Sequence, residues 1–137
     1  MALATLMVVA PGTLGPAVPH ASATTVAKSS TVRADGLVLS LTVKPQPANV
    51  GAVVKFDLYL SATHAKGALG YVLQFGDGAT SQNPVPMFCL AGLGRAAHET
   101  WQLSHRYARS GTFKIVASGY VNCGPGRIST STRLLVR

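Results

Sequence analysis

Apolar side chains recur at every second position along most of this chain, a period typical of β-strands with one buried face. The alternation is clear over residues 37–44, 52–62, 69–75, 100–104, 112–122 and 128–136. No segment shows the 3.6-residue period of an amphipathic helix. The residues predicted to face the core are, in chain order, Leu37, Leu39, Leu41, Val43, Val54, Phe56, Leu58, Leu60, Tyr71, Leu73, Phe75, Trp101, Leu103, Phe113, Ile115, Ala117, Val121, Thr132, Leu134 and Val136.

Turn residues separate these runs at regular spacing. Gly76-Asp77-Gly78 is typical of a tight turn, because glycine tolerates positive φ and aspartate bonds its own backbone. The segment 79–97 contains Pro84 and Pro86 and is predicted to be irregular. Short strands with this spacing predict an all-β fold, a β-sandwich or barrel of about seven strands.

The first 23 residues have features of a secretory signal peptide. An apolar run from Ala2 to Ala10 is followed by Gly and Pro, and Ala21-Ser22-Ala23 has the small-x-small pattern of a cleavage site. The run is too short to span a bilayer as a helix. No Lys or Arg precedes it, which leaves a disordered apolar N-terminus as the alternative.

The domain organisation follows from this leader and from the strand pattern. We expect a signal peptide at 1–23, a Ser/Thr-rich flexible linker at 24–36 and one folded domain at 37–137. A frayed first strand is the alternative for residues 24–34. The protein is therefore expected to be secreted, with association to the cell wall as a variant of that location.

Cys89 and Cys123 are the only cysteines. In an oxidising compartment such a pair in a small domain usually forms a disulfide, and export therefore predicts a bond between them. Two free buried thiols are one alternative. A zinc site completed by His98 and His105 is another, although the spacing is not that of a zinc motif.

Two motifs resemble the signature of PKD domains. Residues 71–78, YVLQFGDG, match its strand and Gly-Asp-Gly turn through Phe75, Gly76, Asp77 and Gly78. Residues 105–117, HRYARSGTFKIVA, match its later His-x-Tyr, turn and strand through His105, Tyr107, Gly111, Phe113 and Ile115. The chain departs from the family at Leu73 and Gln74, where the family has Trp and Asp. The resemblance implies an immunoglobulin-like β-sandwich over roughly 37–136.

The resemblance also implies structural roles for the motif residues. Gly76 and Gly78 would permit the turn, and Asp77 would accept hydrogen bonds from turn amides or from His105. Tyr107 stands where a corner tyrosine would pin the crossover between strands through its hydroxyl.

Catalytic motifs are few in this sequence. It has no Gly-x-Ser-x-Gly elbow, no phosphate loop and no His-Glu-x-x-His. Asp77, His105 and a serine could form a triad on paper, but the resemblance assigns the first two to structure. Asp77 has no second acid nearby in sequence, which disfavours calcium. We expect no enzyme activity, no metal and no cofactor.

The chain is strongly basic, with twelve Lys and Arg against four Asp and Glu and a formal net charge of +8. The bases are spread from Lys28 to Arg137 without a basic run. Aromatic residues do not interleave with them, which disfavours specific nucleic-acid binding. Weak attraction to anionic polymers, such as cell-wall glycopolymers or acidic membranes, is one expectation, and it should decline as salt screens the charges. A soluble basic surface with no partner is the equal alternative.

By resemblance, such a domain is a non-catalytic binding or spacer module that contacts extracellular protein, cell wall or polysaccharide. Tyr59, Val72 and Tyr120 are the candidate surface contacts. A surface protein that assembles with itself through sheet edges is the first alternative. A small secreted hydrolase or an enzyme inhibitor is the second.

Overall fold

The computed structural model describes Gly15, residues 26–124 and residues 126–137. The predicted signal peptide over 1–23 lies, apart from Gly15, outside the described residues. Within those residues the secondary structure consists of eight strands: β1 (Val26–Ala34), β2 (Leu37–Gln46), β3 (Val53–Ala65), β4 (Leu69–Gln74), β5 (Thr80–Gln82), β6 (Arg95–Arg106), β7 (Gly111–Val121) and β8 (Arg127–Val136). In these ranges no helix has the length and apolarity that crossing a bilayer requires.

The strands form two four-stranded antiparallel sheets packed face to face. Sheet I has the order β1-β2-β3-β6 and sheet II has the order β5-β4-β7-β8. The predicted all-β class and β-sandwich architecture are confirmed, with eight strands where about seven were expected. The immunoglobulin-like kind stays a prediction.

The core lies between the inner faces of the two sheets. In sheet I, β2 and β3 pair so that Leu39 lies opposite Leu60 and Leu41 opposite Leu58. All four side chains are fully buried, as the alternation predicted. Gly119 of β7 leaves room for these leucines, since a Cβ there would lie 2.9 Å from a methyl group of Leu60.

The flexible linker predicted at 24–36 is wrong over Val26–Ala34, where the structure has the alternative, a first strand. Residues Val26–Ala34 form β1, which pairs with β2 along its length. The Ser30 hydroxyl bonds that of Thr130 in β8, so β1 closes one side of the sandwich. The alternation was invisible here because β1 is an edge strand whose residues are almost all exposed or half-buried.

Two further expectations are corrected on the other side of the sandwich. The strand predicted over 100–104 extends over the whole of β6, and the segment 79–97, predicted to be irregular, contains β5 and the start of β6. Both strands lie at sheet edges, where only one neighbour covers them. The sequence of β5 and that of the first part of β6, before residue 100, therefore lack the apolar alternation that burial imposes on central strands.

The sandwich has two distinct ends. One end, here called the motif end, carries the β2–β3, β4–β5 and β6–β7 connections and the C-terminal Arg137. The opposite end, here called the tip, carries the β1–β2, β3–β4, β5–β6 and β7–β8 connections. The PKD-like motifs lie at the first end, and the disulfide lies at the second.

Candidate functional site

The Gly-Asp-Gly turn between β4 and β5 is bonded to β6 through one carboxylate. Asp77 Oδ1 accepts a hydrogen bond of 3.1 Å from the Ala79 N–H, and its Oδ2 lies 2.6 Å from His105 Nε2. Burial by itself raises the pKa of Asp77. The hydrogen bonds from His105 and Ala79 outweigh it, because they stabilise the carboxylate, so that the pKa lies below its ordinary value of 3.8.

Tyr107 joins the same turn to the β6–β7 crossover. Its hydroxyl donates a 2.9 Å hydrogen bond to the carbonyl oxygen of Phe75, and the residue is almost fully buried. Burial, and then the negative charge of Asp77, raise the pKa of this hydroxyl well above its ordinary value. The His105 ring stacks on Phe75 at a centroid distance of 4.1 Å and meets Tyr107 edge-on at 4.8 Å.

Phe75, Asp77, His105 and Tyr107, here called the motif cluster, direct their polar groups to hydrogen bonds within the cluster. The Asp77–His105 half of a triad is present, but among the described residues no serine hydroxyl bonds to His105. Ser104 precedes His105 in β6, so their side chains point to opposite faces of the strand. The cluster ties the β4–β5 and β6–β7 connections together at the motif end, and among the described residues it has no third group placed for nucleophilic chemistry.

The cysteine pair has the predicted bond. Cys89 and Cys123 form a disulfide with a Cα–Cα distance of 5.5 Å, so they do not ligate zinc with His98 and His105 and are not free thiols. No group of three or more His, Cys, Asp or Glu side chains that could hold a metal ion occurs in the part of the chain that the structure describes.

The three predicted surface contacts do not share a surface. Tyr59 lies on the outer face of sheet I and is 39% exposed. Val72 and Tyr120 are half-buried on the outer face of sheet II, on the opposite side of the sandwich. The Tyr120 ring packs over Gly70 and lies 5.7 Å from the guanidinium carbon of Arg127. These residues therefore provide no joint contact site.

Among the described residues, the largest group of exposed apolar side chains lies elsewhere, in the β5–β6 connection over residues 83–94, here called the tip loop. Four large apolar side chains in it are exposed: Met87 by 89%, Phe88 by 56%, Leu90 by 41% and Leu93 by 91%. Contiguous exposed apolar groups of this kind mark interaction sites more often than isolated ones do. The tip loop is therefore the candidate contact site.

Bonds to its neighbours fix the tip loop at three places. At its start, Asn83 accepts a 2.7 Å hydrogen bond from the Tyr71 N–H and so extends the short β5 along the edge of β4. In the middle, Asn122 donates to the Pro86 carbonyl at 3.0 Å, and the Cys89–Cys123 disulfide follows. The Leu90 N–H then donates to the Lys66 carbonyl at 2.6 Å.

The C-terminal end of the tip loop is equally constrained. A Cβ at Gly94 would lie 2.6 Å from the backbone of His64, so only glycine permits this approach to the end of β3. The backbone is thus held against the end of the sandwich while the apolar side chains face outward. Such a preorganised surface loses little conformational entropy on binding.

Three exposed basic residues lie at the tip, the end of the sandwich that carries the tip loop. Lys66 lies in the β3–β4 connection, Arg95 directly follows the loop and Arg127 begins β8, and all three are exposed. A cavity of about 380 Å³ beside the loop is lined by Asp35, Thr63, His64, Lys66 and Cys123, among others. The tip thus combines an apolar projection with exposed basic residues.

Sequence reasoning missed this site although a signal was present. Residues 84–94, PVPMFCLAGLG, contain no polar side chain, yet their prolines and glycines prevent a strand. Apolar residues in a segment that joins neither sheet have no assured place in the core. That combination could have identified an exposed apolar loop.

Comparisons with protein-family models, with curated proteins and with solved structures give no match to this chain.

Proposed function

We propose that this chain is an exported, non-catalytic binding module of the PKD-like, immunoglobulin-like kind, and that the tip loop is its contact surface. The observation that carries the proposal is the outward display of Met87, Phe88, Leu90 and Leu93 on a loop held by a disulfide. A spacer that contacts nothing would gain nothing from four exposed apolar side chains, which promote aggregation.

The strand order supports the immunoglobulin-like kind. Such domains place their first, second and fifth strands in one sheet and their third, sixth and seventh in the other. With β1 as an additional edge strand, β2-β3-β6 and β4-β7-β8 follow that order, and β5 is the extra strand beside β4. Tyr107 occupies the corner position, although it bonds the Phe75 carbonyl, 32 residues earlier, rather than one a few residues upstream.

The disulfide supports export. Disulfides persist in oxidising compartments and are rare where thiols are kept reduced. The bond joins the tip loop to the β7–β8 connection and so holds the proposed contact surface in place. An oxidising location would therefore preserve the binding-competent form.

A retention assay tests the proposal. The oxidised domain is mixed with peptidoglycan, chitin, cellulose and phospholipid vesicles at low and high salt, and the bound fraction is measured after sedimentation. The test variant is Met87→Ser/Leu93→Ser, and the matched control is Val50→Ser/Leu135→Ser, which changes two exposed apolar residues away from the tip.

Retention of the wild type and the control on at least one surface, with loss of retention in the tip variant, supports the proposal. Equal retention of all three proteins would show that the tip loop is not the contact surface. Absence of wild-type retention on every surface would contradict a binding module for these partners.

A further inference from the structure

We propose that the partner of the tip loop is an acidic phospholipid surface, on which the apolar side chains enter the headgroup region while the flanking cations contact lipid phosphates. This inference rests on the proposed function and names its partner. The arguments concern the shape of the loop, its chemistry and the charge around it.

The shape suits shallow insertion. Met87 and Leu93 are almost fully exposed, with Phe88 and Leu90 between them in sequence and partly covered. The anchors at Pro86 and Leu90 hold the backbone to the sandwich, so the outer side chains form a fixed projection. An apolar projection of this kind enters the boundary between headgroups and acyl chains without unfolding the domain.

The chemistry of the loop favours lipid over polysaccharide. Residues 84–94 carry no side chain with a hydrogen-bond donor or acceptor other than the bonded sulfur of Cys89. The Oδ1 atom of Asn83 already accepts a hydrogen bond from the Tyr71 N–H. A sugar requires polar groups that meet its hydroxyls and so orient it. The side chains of the tip loop over residues 84–94 offer apolar surface, which suits lipid.

The charge around the loop favours acidic lipid in particular. Lys66, Arg95 and Arg127 are exposed at the tip, and Asp35 in the β1–β2 turn is the acid that lines the adjacent cavity. Cations beside a membrane surface gain from the negative potential of anionic lipids, and the gain disappears within about 10 Å as salt screens it. Apolar insertion and basic attraction would thus act at the same end.

The experiment is sedimentation of the oxidised protein with vesicles of phosphatidylglycerol and phosphatidylcholine in equal proportion, and with vesicles of phosphatidylcholine alone. Binding to the mixed vesicles is expected to exceed binding to the neutral ones and to fall with added salt. Met87→Ser and Leu93→Ser should each weaken binding about tenfold, because each removes a large apolar side chain from the inserted surface. Lys66→Gln and Arg95→Gln should each weaken binding roughly fivefold.

Two control variants separate the tip from the whole protein. Val50→Ser/Leu135→Ser removes exposed apolar residues at other places, and Lys55→Gln/Arg109→Gln removes two cations, one more than each cation variant at the tip, from the motif end and its neighbourhood. Both controls should bind the mixed vesicles within about twofold of the wild type, since neither changes the tip.

The outcomes distinguish this inference from the function on which it rests. Failure to bind either kind of vesicle overturns the lipid partner, and loop-dependent retention on a polysaccharide would then leave the contact surface intact. If salt abolished vesicle binding while all tip variants still bound, insertion of the loop would be excluded and the binding would be purely electrostatic. The protein could instead fail to bind vesicles and form concentration-dependent dimers that Met87→Ser and Leu93→Ser abolish. The partner of the tip loop would then be a second copy of this chain rather than lipid.

Discussion

The hydroxyl of Tyr107 donates a hydrogen bond to the carbonyl oxygen of Phe75 across 2.9 Å, in the buried space between two connections of the sandwich. Phe75 immediately precedes the Gly-Asp-Gly turn, and Tyr107 lies in the β6–β7 crossover, so this bond, together with that between Asp77 and His105, joins the two sheets at the motif end. The Phe113 ring packs against Tyr107 at a centroid distance of 4.6 Å and keeps water away from it.

Tyr107→Phe is expected to lower the free energy of unfolding by about 1–3 kcal/mol, because it leaves the buried Phe75 carbonyl without its donor. Urea denaturation measures the change. Tyr120→Phe is the control, since the Tyr120 residue is only half-buried on an outer face, and it should change stability by less than about 0.5 kcal/mol. Equal stability of the two variants would contradict a structural role for the Tyr107 hydroxyl.

Asp77 should make stability depend on pH in the acid range. Its pKa is lowered on folding, so the unfolded chain binds a proton more readily and stability is lost as pH falls through the ordinary value of 3.8 towards the lower folded value. Above the ordinary value the contribution is fully present. The measurement is the free energy of unfolding from about pH 6 to about pH 2.

Asp77→Asn should flatten that acid-range decline, because the amide does not titrate. Asp57→Asn is the matched control: Asp57 forms an exposed ion pair with Lys44 at 2.7 Å, and its loss should leave the decline caused by Asp77 in place. The interpretation fails if the wild type and Asp77→Asn lose stability in parallel.

Gly76 and Gly78 should differ in their tolerance of alanine. Both have positive φ, 85° and 98°, and both therefore strain a non-glycine residue. A Cβ at Gly76 would also lie 2.5 Å from the carbonyl oxygen of Lys114, whereas a Cβ at Gly78 meets nothing within 4 Å. We expect Gly78→Ala to cost about 1 kcal/mol and Gly76→Ala about 3 kcal/mol or more.

Thermal and urea unfolding of the two variants provide the comparison. Because the backbone strain is common to both, the difference between them isolates the contact with β7. Similar losses in both variants would mean that the Gly-Asp-Gly turn moves away from β7 at little cost.

The central strands could be predicted from the sequence because burial on one face leaves an alternation. Leu39 and Leu60 belong to strands with neighbours on both sides, and both were assigned to the core correctly. The edge strand β1 and the first part of β6, before residue 100, show no such alternation, since much of the inner face of each is open to solvent. Glu99, for example, lies opposite the buried Leu60 and is nevertheless exposed.

The candidate site was harder to predict than the fold for a different reason. Whether Met87 and Leu93 turn inward or outward is decided by contacts distant in sequence, above all the bond from Asn122 to Pro86 and the disulfide. The bond between the two cysteines could be expected from their number. The direction of the side chains beside Cys89 could not, because no local pattern encodes it.

Removing the disulfide should therefore affect both stability and binding. Cys89→Ser/Cys123→Ser releases a loop of 34 residues, and loop-closure entropy predicts a loss of about 3–4 kcal/mol in the free energy of unfolding. The freed tip loop should also become sensitive to chymotrypsin, which cleaves after large apolar residues. Urea denaturation and limited proteolysis, with the cleavage sites read by mass spectrometry, measure these two effects.

Met87→Ser/Leu93→Ser is the control for this variant, because it changes the same loop and keeps the bond. It should retain nearly the wild-type stability and proteolytic resistance, since both side chains are exposed. If the tip loop of Cys89→Ser/Cys123→Ser stayed resistant to chymotrypsin, the anchors at Pro86 and Leu90 would suffice to hold it. If it also kept full vesicle binding, a fixed loop would not be required for contact, and the case for preorganisation by the disulfide would fail.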